Sequence, residues 1–128
     1  MNPMKLASNI VGALLGLLFI FTGTNYFFHF VAMPPGPPEG SPPAMFMGAL
    51  VPTGYFAMIK VLEICGGALT AIPKTRNFGL LILGPIIVNI LAFHIFLVKS
   101  AGAMQAFVAL AAAFLLWSAR AKFAALAN

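Results

Sequence analysis

Lys60 and Glu63 stand three residues apart inside a run that is otherwise apolar. On a helix that spacing puts both on one face, where each can neutralise the other. Other polar side chains within the long apolar runs are Asn25 and His29, then Asn89 and His94, with Gln105 close to the outer end of the fourth run. Asn25 and His29, four apart, share a helical face; Asn89 and His94, five apart, diverge by about 140°. Ionisable side chains in membrane-spanning helices face the bundle interior or a cavity, and they mark ligand sites or proton paths. Lys60, Glu63, Asn25, His29, Asn89 and His94 are therefore the candidate ligand-binding or proton-relay set. Lysine, asparagine and histidine can donate to the carbonyl oxygens of a quinone-like ligand in an apolar slot, and Glu63 can supply a proton. Each also has a plainer role open to it: Lys60 snorkelling to the interface, Glu63 as a hydrogen-bonded structural acid, the others as satisfied polar groups. No flavin, nicotinamide or iron–sulfur motif accompanies them. Cys65 is the single cysteine, which excludes an intrachain disulfide, a CxxC pair and any multi-cysteine metal site. No metal centre is expected; a b-type haem held by His29 and His94, at matched depth on different helices, is the lesser alternative.

The elements that must position these groups follow from composition. Of 128 residues, 62% are hydrophobic and 7% charged, against about a quarter charged in a soluble domain. Nine charged side chains cannot clothe a water-facing surface, so the expected class is an all-α polytopic membrane protein in one domain, residues 1–128. Membrane helices need about 20 apolar residues, and the chain supplies four such stretches, over about 7–32, 54–72, 78–98 and 101–119. The first is longer than a signal-peptide core and ends without a small-x-small site, so it reads as a retained span. The expected fold is a four-transmembrane-helix bundle with a short outer interfacial helix over about 43–51, set off from the second span by Pro52. The tract 33–43 holds six prolines and reads as a stiff polyproline II connector. Gly12-x-x-x-Gly16 and Gly66-Gly67 permit close helix approach, and Ala103, Ala106, Ala109 and Ala113 suit contact within the bundle. Pro85 is expected to kink the third span.

The net charge of +5 comes from scattered basic residues with no interleaved basic–aromatic patch, so no nucleic-acid partner is expected. Lys5, Lys74, Arg76, Arg120 and Lys122 fall at one end of the four spans and Lys99 at the other. That bias places both termini in the cytoplasm. At 1.5 Å per residue, His29 and His94 sit about 5–6 Å below the outer boundary, Lys60 about 9 Å and Glu63 about 14 Å, with Asn89 near the midplane and within hydrogen-bonding reach of the pair.

The stretch Lys60-Val-Leu-Glu63-Ile-Cys-Gly66-Gly67, followed by Pro85-Ile-Ile-Val-Asn89-Ile-Leu-Ala-Phe-His94, resembles the DoxX-like membrane proteins. The opening Gly-Leu-Leu-Phe-Ile-Phe-Thr-Gly and Phe46-Met-Gly48-Ala-Leu are similar to the family as well, and the resemblance covers residues 10–118. It implies a four-helix protein of the bacterial inner membrane, of a family in which some members are associated with quinone-linked redox systems. With the polar cluster, the leading expectation is an accessory subunit of a membrane redox or respiratory system, non-catalytic on its own. Relatives that use thiol chemistry need a cysteine pair, which Cys65 alone does not supply. The partners expected are the lipid bilayer and a larger membrane complex or a second copy of the chain. Two other functions fit the residues: a structural or assembly subunit, and a small transporter or channel that works only as an oligomer. For topology, a cysteine introduced at Ser41 in a Cys65→Ala background should react with an impermeant maleimide from outside intact cells. Reaction only from the cytoplasmic face would invert the assignment.

Overall fold

A computed structural model describes residues 2–127, and among them there are helices and no strand. Helix α1 (Pro3–Phe28) opens with Asn2, whose side chain accepts from the Lys5 amide, and with proline in the first turn, where its missing donor costs nothing. Helix α2 (Pro42–Leu50) starts the same way, capped by Ser41. Helix α3 (Tyr55–Ala71) follows after a turn in which Gly54 takes φ 83°, a left-handed conformation that favours glycine. The axes of α2 and α3 meet at 83°, at the break expected around Pro52. Helix α4 (Arg76–Ala92) runs on through Pro85 and finishes as a π-helix over Phe93–Val98. Helix α5 (Ala103–Ser118) is followed, after a 74° bend, by the short α6 (Arg120–Ala124).

Helix α1 is shorter at its C-terminal end than the apolar run suggests. It stops at Phe28, with His29 at φ 55° in the left-handed region, instead of continuing to Ala32. The cause is Asn25. Its side chain accepts from the Val31 amide at 2.8 Å and donates to the Val31 carbonyl at 3.2 Å, so the chain folds back over the helix end.

Neighbouring helices run antiparallel, and α3 lies between α1 and α4. Two adjacent glycines make that placement possible, because successive helical positions point about 100° apart. Gly67 faces Gly16 of α1 so closely that a β-carbon on either would strike the other's carbonyl oxygen. Gly66 faces Leu83 of α4, and one turn further on Gly79 lies against the backbone of Thr70. Around these contacts Leu15, Phe19, Leu80, Leu83, Ile87, Val108, Ala111, Ala112 and Leu115 form the core. Core packing by Val108, Ala111, Ala112 and Leu115 sets the rotation of α5. As a result the expected inward alanines turn outward: Ala103, Ala106 and Ala113 are exposed and Ala109 is half-buried.

The outer faces are apolar on a scale that water would not tolerate. Leu110 is 72% exposed and Phe96 71%, among some thirty large hydrophobic side chains with open faces. By length and composition α1 and the continuous Arg76–Val98 helix can each cross a membrane. The bent pairs α2–α3 and α5–α6 bring the number of candidate crossings to as many as four. The chain is thus an all-helical protein with the character of a membrane protein. Substitution of glycine should separate backbone contact from mere helix propensity. Gly16→Ala should lower thermal stability in detergent by about 1–3 kcal/mol through overpacking, whereas Gly84→Ala, with open space where its β-carbon would go, should be neutral or raise it by up to about 1 kcal/mol.

Candidate functional site

Lys60 and Glu63 lie one turn and two turns into α3 and face α1. Lys60 Nζ is 3.4 Å from Glu63 Oε1, with 14% and 4% of the respective side chains exposed. Their environment explains how the chain tolerates them. Gly23 of α1 packs against Ile64 and the Lys60 carbonyl, so α1 closes over the pair without a side chain in the way. Thr22 brings a hydroxyl beside the carboxylate. The lysine points back toward the start of α3, as helical side chains do, and its ammonium sits 5.0 Å from the Phe56 ring centroid. Phe56 in turn meets Tyr26 edge to face at 5.2 Å. The ammonium therefore has a carboxylate on one side and an aromatic face on the other, near the end of the bundle where α1 finishes.

The other four candidates do not join this pair. Asn25 is buried and spends its side chain on the Val31 backbone and, at 3.4 Å, the Met33 sulfur. His29, expected on the same helical face, has left the helix and is exposed. Asn89 was expected beside Lys60 or Glu63 and is not there. It lies on an exposed face of α4 and donates to the Pro85 carbonyl at 2.8 Å, bonding one turn back within its own helix. His94 sits in the π-helix, with Nδ1 2.8 Å from the Ile90 carbonyl and Nε2 3.2 Å from Gln105 Nε2 on α5. A carbonyl can only accept, so Nδ1 carries the proton and Nε2 accepts from the glutamine amide. The amide oxygen of Gln105 is taken by the Gly102 N–H at 2.8 Å, which fixes that orientation. Of the two ring nitrogens of His94, Nδ1 bonds one turn back within its own helix and Nε2 joins that helix to α5, while His29 lies outside any helix.

A second polar cluster, at the opposite end, lies outside the sequence-derived set. Arg76 reads from sequence as a loop charge, yet it is the first residue of α4 and only 8% exposed. Its Nε donates to the Thr70 carbonyl at 2.9 Å and Nη1 to Asn9 Oδ1 at 3.1 Å. The guanidinium lies over Gly12, where any β-carbon would collide with it. Arg76 thus ties α1, α3 and α4 together, and the C-terminal end of α3 offers it the negative end of a helix dipole. The available signal was Gly12, whose role in the Gly12-x-x-x-Gly16 spacing is to admit a side chain and not a backbone.

Between α2 and the π-helix, Phe46, Asn89, Ala92, Phe93, Phe96 and Leu97 line a shallow apolar groove of about 190 Å³. Among the described residues, no group of three or more potential ligands is placed to hold a metal ion. Comparison with protein families, with curated proteins and with solved structures finds no match to this chain.

The site as built is one buried ion pair flanked by a hydroxyl and by the Phe56 ring, which Tyr26 backs edge to face. An unpaired charge within a span costs roughly 2.5–3.5 kcal/mol. Lys60→Met should accordingly destabilise the protein more than Lys60→Met combined with Glu63→Gln, by about 2 kcal/mol, because the single change strands the carboxylate. Unfolding of both variants in detergent checks the order; a double variant less stable than the single would mean that the two side chains contribute independently.

Proposed function

We propose that this chain is a four-crossing bundle of the bacterial inner membrane with both termini in the cytoplasm. In this reading α1, α3, α4 with its π-helix, and α5 each cross, while α2 lies along the outer surface. The protein serves as an accessory, non-catalytic subunit of a membrane redox or respiratory system, and its Lys60–Glu63 pair exchanges protons within the membrane. The observation that carries this reading is the pair itself: the ammonium and carboxylate are 3.4 Å apart, with 14% and 4% of their side chains exposed, in a largely apolar interior. A proton moving from Lys60 to Glu63 converts the ion pair into a neutral amine and a neutral acid. Neither state then leaves net charge among the lipids, so protonation can change there at low cost.

The DoxX-like pattern around Lys60, Glu63, Gly66 and Gly67 supports the redox association. The dispersal of Asn25, Asn89 and His94 into separate hydrogen bonds favours proton exchange over a quinone slot, since a quinone needs donors converging on one cavity. One observation favours a second reading, that of a structural or assembly subunit: the small residues Ala103, Ala106 and Ala113 face outward from α5, where another membrane helix could approach closely.

Native purification in mild detergent, with redox turnover assayed on the purified complex, separates the two. The Lys60→Met/Glu63→Gln variant should co-purify with its partner at wild-type stoichiometry and lose turnover. Full turnover in that variant would assign the pair to structure alone and leave assembly as the function.

A further inference from the structure

We infer that the basic end of the bundle carries a binding site for anionic phospholipid headgroups, built on α6 and the end of α5; the inference rests on the membrane reading above. The 74° bend after Ser118 turns α6 across the axis of the bundle instead of along it. Phe123 pins this short helix, packing against the core, while Arg120, Lys122 and Leu126 remain exposed. A cross-lying segment with basic and apolar groups side by side is suited to the boundary between headgroups and acyl chains. Arg120 is held ready there. Its guanidinium stands 4.2 Å from the Trp117 ring centroid and Nη1 donates to the Trp117 carbonyl at 2.7 Å. A guanidinium has five N–H donors in a planar fork, so most of them stay available for a phosphate.

Among the described residues, no acidic side chain offsets the basic charge at this end. Exposed Lys5 and Lys74 belong to the same end as Arg120 and Lys122. The chain has two acidic side chains, and neither serves as a partner: Glu39 lies in the loop at the other end and Glu63 is buried against Lys60. The exposed neighbours Leu116, Trp117 and Leu126 select the occupant. A free inorganic anion or a nucleic acid would leave them in water, whereas a phospholipid covers them with its chains while its phosphate meets the arginine and lysine.

Trp117 is the sole tryptophan and therefore a built-in donor for energy transfer. The full chain is reconstituted in phosphatidylcholine nanodiscs containing a trace of dansyl-labelled phosphatidylglycerol or, separately, dansyl-labelled phosphatidylcholine. Local enrichment of the anionic probe should exceed that of the neutral probe by roughly fivefold for each basic side chain engaged. Arg120→Gln with Lys122→Gln should abolish the preference, and Arg120→Lys with Lys122→Arg should keep it, which separates charge from folding. Equal transfer to the two probes, or a preference that persists in the doubly neutralised variant, overturns the assignment to α6 while leaving the membrane reading intact. Displacement of the anionic probe by inorganic phosphate alone would make the site one for free anions and overturn the lipid assignment. A chain that does not remain with the discs defeats both this inference and the membrane reading.

Discussion

Backbone contact between α1 and α3 at Gly16 and Gly67 is the constraint on which the remaining arrangement depends. Helices normally sit 8–10 Å apart because side chains intervene. In hydrocarbon there is no hydrophobic force to hold them together, so close van der Waals contact and interhelical polar contacts must do it. The glycine pair on α3 serves both neighbours at once, Gly67 toward α1 and Gly66 toward α4. With α3 gripped on two sides, the residues one turn nearer its start are carried inward as well. Glu63, four residues and so one turn before Gly67, becomes buried whether or not its chemistry is used, and Lys60 follows as its counter-ion.

Polar groups in this chain are settled locally. Asn25 closes a helix end, Asn89 bonds one turn back, His94 and Gln105 join two helices near the turn between α4 and α5, and Arg76 with Asn9 and Thr70 joins three at the basic end. Each gives polar groups partners that lipid could not, although Arg76 Nη2 and Thr70 Oγ1 stay buried without a hydrogen bond. The one arrangement that keeps a full charge of each sign in the interior is the Lys60–Glu63 pair, and that singularity gives it its claim to function.

The helices were legible because long apolar runs and strong breakers admit few other readings; Pro52 with Gly54, and the proline tract, fall where the chain turns. The Lys60–Glu63 contact was legible from spacing alone, because three residues on a helix leave little freedom. What periodicity could not supply was rotation and depth. The rotation of α5 follows from which of many similar alanines meets the core, and an alanine-rich sequence carries almost no signal for that. Depth arithmetic put Asn89 beside Glu63 without reference to the direction in which each side chain leaves its helix. His29 was placed in a span because apolar residues continue past it to Ala32; the stop is imposed by a side chain–backbone bond between Asn25 and Val31, which no composition window contains. Arg76 escaped notice for the opposite reason, since a charge beside a loop looks solvated until a glycine on another helix makes room for it.

The bend before α3 and the bend after α5 have a consequence for a surrounding bilayer. With 17 and 16 residues, these helices are about 26 and 24 Å long, shorter than a hydrocarbon core of roughly 30 Å. Helix α1, at 26 residues, extends to about 39 Å. In the proposed four-crossing reading, rods of such unequal length would impose hydrophobic mismatch of both signs, with the long helices tilting and lipids thinning beside the short ones. The protein would therefore be matched to thinner regions of a membrane, or to the side of a larger complex that already thins it, through geometry alone and without any recognition of a partner's sequence.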